Sequence, residues 1–143
     1  MRAIGIDVGA RRIGLAISDA TRTLARPLET IAVENDRDGI DRVIARVNAL
    51  ATEDDGVHVV VVGLPRRLDG TPTDGTARAT ALVDALRAQT SLVVVTEDER
   101  LTSVEAESRL ARRERDWKKR KAKIDAAAAA IILQDYLDRS ASG

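Results

Sequence analysis

Val57-His58-Val59-Val60-Val61-Val62-Gly63-Leu64 is an almost unbroken apolar run. An amphipathic helix would break such a run with polar residues at every turn, and a strand with one wet face would alternate. A strand covered on both faces does neither, so the run predicts a central strand of a parallel sheet. Leu92 to Thr96 repeats the pattern, and Thr76 to Gln89 between them carries Ala79, Leu82, Val83 and Leu86 at helical spacing. That is the crossover a parallel pair requires. Upstream, Arg2 to Val8 and Ile13 to Ser18 are separated by a short Gly-Ala-Arg-Arg connection, which predicts an antiparallel hairpin. Leu24 to Val33 continues the meander, with Pro27 confining it to an edge or a bulge.

The remaining segments read as helices and one loop. Asn35 or Asp36 caps a helix to about Thr52, with Ile40, Val43, Ile44, Val47 and Leu50 on one face. Pro65 to Gly75 is a loop. Thr102 caps a short helix from Ser103 to about Arg112, with Glu105 completing a capping box. Ile124 to Leu137 is a last helix whose five consecutive alanines, Ala126 to Ala130, allow close packing. The expected class is α/β: one domain over 1–143, built on a mixed five-stranded sheet of meander plus βα units, with helices on both faces.

Composition narrows the chemistry. With 143 residues, 44% hydrophobic and 32% charged, the chain is a globular domain with enough apolar material for a core. It has no Cys, which excludes disulfides, thiolate metal sites and cysteine nucleophiles. His58 is its one histidine, so a histidine-built metal site is excluded and a Ser-His-Asp triad is disfavoured. One Trp, one Tyr and no Phe speak against binding single strands by aromatic stacking. No apolar run approaches the ~18 residues of a membrane span, and the N-terminus enters a strand pattern directly. The expected location is the cytoplasm, with no membrane partner.

Formal charge sums to zero but is unevenly placed. From Arg109 to Lys123 there are nine Lys/Arg, including Lys118, Lys119, Arg120 and Lys121, against Glu114 and Asp116. This net +7 is balanced by −7 in the rest of the chain. One reading is a solvated charged loop; the other is an arm for a polyanion. Trp117 within it either stacks on a base or anchors the loop.

The chemistry therefore falls to carboxylates. Asp7 ends the first strand, Asp98 and Glu99 follow the last, and Asp125 lies in the first turn of the last helix. Sites in open α/β sheets form beyond the carboxyl ends of strands, which is where Asp7 and the Asp98-Glu99 pair fall. Three carboxylates without imidazole or thiolate are hard oxygen ligands suited to Mg²⁺ or Mn²⁺. Such ions activate water and stabilise a leaving oxygen in phosphodiester cleavage. Each acid also has a plain structural reading. Asp7-Val8-Gly9 is a turn signal, Glu99 and Arg100 can pair at the surface, and Asp125 favours a helix N-terminus by ~0.3–1 kcal/mol. Their coincidence with the basic arm favours a site.

Residues 5–19, Gly5-Ile6-Asp7-Val8-Gly9-Ala10-Arg11-Arg12-Ile13-Gly14-Leu15-Ala16-Ile17-Ser18-Asp19, resemble the opening signature of the YqgF (RuvX) family. Val62-Gly63-Leu64-Pro65 with Asp69-Gly70 is similar to a second family stretch, and Asp98-Glu99-Arg100-Leu101-Thr102-Ser103 to a third. Lys123-Ile124-Asp125 with Ala127-Ala128, followed by Ile132-Leu133-Gln134 and Tyr136-Leu137, resembles a fourth. The resemblance spans nearly the whole chain in order. It implies an RNase H-like fold in bacterial proteins described as Holliday junction resolvase-like and as candidate pre-16S rRNA nucleases.

By that resemblance Asp7, Glu99 and Asp125 are the catalytic and metal-holding acids, with Asp98 the alternate for the middle position. Arg11 stands where the family usually has Lys. Arg11, Arg12, Lys118, Lys119, Arg120 and Lys121 are expected to hold substrate, and Arg100 to orient a carboxylate from behind. The implied function is a metal-dependent endonuclease on structured nucleic acid: precursor rRNA, with 5′-end processing of 16S rRNA, or branched DNA as in a Holliday junction. The ribosome is a possible partner, and the assembly a monomer or homodimer. The alternatives are a non-catalytic ribosome- or nucleic-acid-binding factor and a nucleotide phosphotransferase. Clustered carboxylates disfavour the first. The lack of a second closing domain in 143 residues disfavours the second.

Overall fold

The computed structural model describes residues 1–65, 69–98 and 117–142, the side chains of 117–125 and 141–142 excepted. Five strands, β1 (Arg2–Val8), β2 (Arg12–Ser18), β3 (Ala25–Ala32), β4 (Val57–Leu64) and β5 (Val93–Asp98), form one sheet in the order β3-β2-β1-β4-β5. The β1–β2 and β2–β3 pairs are antiparallel; β1–β4 and β4–β5 are parallel. This is the expected mixed sheet, with the valine run between two parallel neighbours.

The helices α1 (Asp36–Ala51) and α2 (Asp74–Gln89) cover one face, and α3 (Trp117–Ser142) covers the other. Asn35 caps α1, its side chain accepting the Asp38 N–H at 2.8 Å. Thr73 caps α2, two residues earlier than the spacing predicts, in a reciprocal box with Thr76. Branched side chains fill the α1/α2 side: Ile4, Ile6, Leu15 and Ile17 from the meander meet Val43, Val47, Leu82 and Leu86. The α3 side is lined by smaller residues, Ala3, Ala16, Val59 and Val61, under Ala129, Ile132, Leu133 and Leu137.

Two irregularities interrupt the pairing. Ala16 pairs with Pro27 and Leu15 with Glu29, so Leu28 is an extra residue and the proline sits on an edge strand. At the start of β4, Arg2 pairs with Val57 and Ala3 with Val59, leaving His58 unmatched. The packing records the slip: Val57 and Val60 belong to the α1/α2 side, Val59 and Val61 to the α3 side.

Two expectations needed correction. The strand placed at Leu92–Thr96 runs on to Asp98, because Gly63 and Leu64 of β4 pair with Glu97 and Asp98. The last helix begins at Trp117 rather than Ile124, so the second half of the basic run is helical rather than looped. The expected helix over Ser103–Arg112 lies outside the described residues.

Candidate active site at the carboxyl end of β1

Successive strand residues point to opposite faces. On β1, Ile4, Ile6 and Val8 face α1 and α2, which leaves Ala3, Gly5 and Asp7 toward α3. Asp7 is thus an acid at the carboxyl end of a central strand, half-buried under the α3 side of the sheet. Its cross-strand partner is Gly14. On its other flank, the register Ile6 to Val62 carried one step on brings Gly63 alongside. Two residues without side chains therefore flank Asp7 on its neighbouring strands. Next to it the chain turns sharply. The Gly9 N–H donates to the Arg12 carbonyl at 2.9 Å, and a Cβ on Gly9 would lie 2.5 Å from that oxygen. Arg12 opens β2 on the same side as Gly14, and Arg11 is exposed in the turn. Both expected substrate-binding arginines therefore lie in the chain turn that follows Asp7.

The helix above supplies the next acid's position. Gln134 of α3 accepts from the Ala25 N–H at 2.8 Å and donates to the Thr23 carbonyl at 3.0 Å. Ala25 pairs with Ser18, at the end of the sheet away from Asp7. The amino-terminal half of α3 therefore runs back toward Asp7. It passes over Gly5 at Ala129, and residue 125 lies one helical turn, about 6 Å, nearer the Asp7 end. The backbone of α3 thus carries Asp125 toward Asp7; its side chain lies outside the described residues, as do those of Lys118, Lys119, Arg120 and Lys121. Glu99 and Arg100 lie outside them entirely.

The structure also shows an acid that the sequence did not single out. Glu97 is paired with Gly63, two strands from Asp7 on the α3 side of the sheet, and is 5% exposed. The Arg139 guanidinium of α3 donates to its carboxylate. Burial pushes the Glu97 carboxyl above its ordinary range, outweighing the Arg139 cation that favours ionisation. Asp98, the alternate middle acid, is the next residue along and exposed; the strand's two-residue period assigns it to the α1/α2 side. Its separation from Glu97 would have been readable only by knowing that β5 continues past Thr96.

Among the described residues no group of three acids or histidines is placed to hold a metal ion. Of Asp7, Glu99 and Asp125, Asp7 is the one whose side chain is described. Its carboxylate oxygens are donors of the kind that suits a hard divalent cation. A cavity of about 370 Å³ lies on the other face, between the amino ends of α1 and α2, and is bridged by an Arg78–Asp36 ion pair at 2.9 Å. Asp7 does not line it. Among the described residues no helix is long and apolar enough to cross a membrane.

Comparison with known proteins agrees with this architecture. Residues 1–139 match the family model described as "RuvX: Holliday junction resolvase". A Geobacillus kaustophilus protein named "Putative pre-16S rRNA nuclease" is 40% identical over 138 residues, covering 96% of this chain and 98% of its own. A Chloroflexus aggregans protein of the same name is 46% identical over 135 residues, covering 94% and 92%. Thermus thermophilus RuvC superposes with a TM-score of 0.55 at 19% identity, covering 99% of this chain and 97% of that one. The fowlpox virus Holliday junction resolvase gives 0.57 at 13%, covering 98% and 99%. The fold is that of the RuvC-type resolvases, an RNase H-like α/β fold, and at 40–46% identity over almost its whole length the chain belongs to the RuvX family.

Proposed function

We propose that this chain is a divalent-metal-dependent endonuclease that cuts phosphodiester bonds in structured nucleic acid, and that its substrate is the 5′ end of precursor 16S rRNA. The observation that carries the reading is the setting of Asp7: a carboxylate at the end of a central strand, flanked by two glycines, under the end of α3 that bears Asp125. Asp7, Asp125 and Glu99, which lies two positions past Glu97, would hold Mg²⁺ or Mn²⁺. When bound, such an ion lowers the pKa of its water and stabilises charge on the leaving oxygen. The protein's own part is to position and to bind. The Gly9–Arg12 turn fixes the end of β1, and Arg11 and Arg12, in the turn that follows Asp7, carry guanidiniums that match phosphate oxygens. The basic start of α3, Lys118 to Lys121, extends that positive surface along the same helix as Asp125. Arg100 is assigned to orienting a carboxylate.

The names carried by the 40–46% identical relatives support the rRNA substrate. Resolution of DNA four-way junctions is the second reading, favoured by the family description and by a RuvC structure of the same fold, TM-score 0.56, described as a complex with a Holliday junction substrate. Cleavage of precursor 16S rRNA and of four-way DNA junctions, side by side in Mg²⁺ or Mn²⁺, decides between them. Wild type should cut the rRNA at discrete positions and Asp7→Asn should not. Cutting of junctions alone would make it a resolvase, and no cutting of either would return it to a binding factor.

A further inference from the structure

At the end of the sheet remote from Asp7, a cavity of about 310 Å³ opens between the β2–β3 turn, the start of β4 and the last turns of α3. From Ala3, beside it, to Asp7 is four residues of β1, about 13 Å of strand. Thr21, Arg22, His58, Tyr136, Leu137 and Ser140 line it. The chain's one histidine and one tyrosine thus meet there with an arginine and two hydroxyls, and among the described residues no carboxylate lines the cavity. Of the acids close in sequence to these residues, Asp135 and Asp138 flank Tyr136 and Leu137 on α3, and Asp138 accepts from the Gln134 amide at 2.9 Å; Asp19 accepts from the Thr21 hydroxyl and from the Thr23 and Leu24 N–H groups at 2.8, 2.8 and 3.3 Å.

Two backbone irregularities converge on this cavity. His58 is the extra residue of the β1–β4 slip, and a bulge re-aims a side chain that regular pairing would seat in the sheet. Arg22 has φ +56°, the sole positive value at a non-glycine among the described residues. That conformation favours glycine or asparagine, so the backbone gives no reason for an arginine. What arginine adds is a guanidinium in the lining of a cavity that His58 also lines.

We infer that this cavity binds a nucleotide unit, its phosphate held by Arg22 and His58 and its base laid against the Tyr136 ring. The guanidinium of arginine and a ring N–H of histidine are donors that match phosphate oxygens, and the flat face of a tyrosine accepts any base. The volume lies at the lower end of small-ligand sites, which suits one nucleotide. The phosphate comes either from a free mononucleotide or from one residue of a bound strand; the recognising chemistry is the same. The inference does not depend on cleavage at Asp7 and is tested without metal.

With one histidine in the chain, a single imidazole signal in an NMR spectrum reads the site. The intact protein is titrated at constant pH and ionic strength with inorganic phosphate, adenosine, AMP and a short single-stranded RNA. The His58 signal should move and saturate with AMP and with phosphate, AMP should bind tighter than phosphate, and adenosine should have little effect. RNA binding tighter per phosphate than AMP assigns the site to a strand; the reverse assigns it to a free nucleotide. Arg22→Gly, which suits the backbone better, should melt at or above the wild-type temperature while weakening AMP by roughly tenfold, the loss of one charge-assisted contact. Tyr136→Leu should bring AMP down to the affinity of phosphate. A His58 signal unmoved by both phosphate and AMP overturns the inference, as does an Arg22→Gly protein that binds AMP like wild type.

Discussion

The backbone carbonyl of Ala129 stands 2.7 Å from the point that a side chain on Gly5 would occupy, so α3 and β1 meet backbone to backbone. The Leu133 Cβ is equally close to that point, so neither neighbour is the yielding tip of a flexible side chain. Gly5→Ala must push α3 off the sheet, at a cost of about 1–3 kcal/mol. Because the same helix carries Asp125, nuclease turnover should fall together with the melting temperature. Unchanged melting would show that the seat accommodates a methyl group and that the contact is not as close as it stands.

Asp7→Asn retains the shape of the side chain and removes its charge. Turnover should fall on the order of a hundredfold or more, the scale of removing one electrostatic stabiliser of a phosphoryl transition state. Circular dichroism and thermal melting should match wild type. Full activity would remove β1 from the chemistry.

Glu97 and Arg139 differ sharply in exposure, 4% against 66% for their side chains. Arg139→Ala leaves a buried carboxylate without its cation and should cost on the order of 1–3 kcal/mol; Glu97→Gln returns a guanidinium to water and should cost less. The Glu97 carboxyl titrates above its ordinary 4.5, so folding is favoured while it is protonated and loses that contribution as pH rises through the folded value. The Arg139→Ala deficit should therefore widen from acid to neutral pH. Denaturant unfolding of both single variants and the double variant, across pH, measures the coupling.

Asp19 holds the β2–β3 turn through the Thr23 N–H, the Thr21 hydroxyl and the Leu24 N–H, and those bonds depress its pKa below 3.8. A depressed carboxyl stabilises the fold above the unfolded value and loses that contribution as pH falls through the folded one. Wild type should be more stable than Asp19→Ala at pH 6, with the gap closing below about pH 3.8. A pH-independent gap in melting temperature would mean that the turn does not rest on the ionised form.

Changing Lys118, Lys119, Arg120 and Lys121 together to Ala should weaken nucleic-acid binding and flatten its salt dependence. Each lost phosphate contact should reduce the log–log slope by roughly 0.7–0.9. Fluorescence anisotropy with a labelled RNA at several salt concentrations gives the slope, and an unchanged value would return the segment to a solvated surface.

Much of the sheet is legible in the chain because β4 carries five valines in eight residues and the meander is punctuated by glycine. Asp7 is legible for the same reason: strand pattern and turn signal fix it at a strand end. The extent of α3 is not, since an alanine run followed backwards by lysines and arginines carries no apolar stripe to mark a helix, although those residues all favour one. Glu97 was hidden because Thr96-Glu97-Asp98 looks like a polar exit from a strand, and only pairing with Gly63 and Leu64 keeps it in the sheet. The slip at His58 is a property of two strands together, which neither strand's pattern contains.

Trp117 and Tyr136 both lie on α3, about 28 Å apart along its axis, and the chain has no phenylalanine. Near-ultraviolet absorption and intrinsic fluorescence therefore report on one helix alone, while far-ultraviolet dichroism averages the whole backbone. If α3 detaches from an intact sheet, the near-ultraviolet dichroism of the half-buried Tyr136 should change before the far-ultraviolet signal. The chain thus carries a built-in pair of lamps on the helix that covers the second face of the sheet, and label-free spectroscopy can follow that helix separately from everything beneath it.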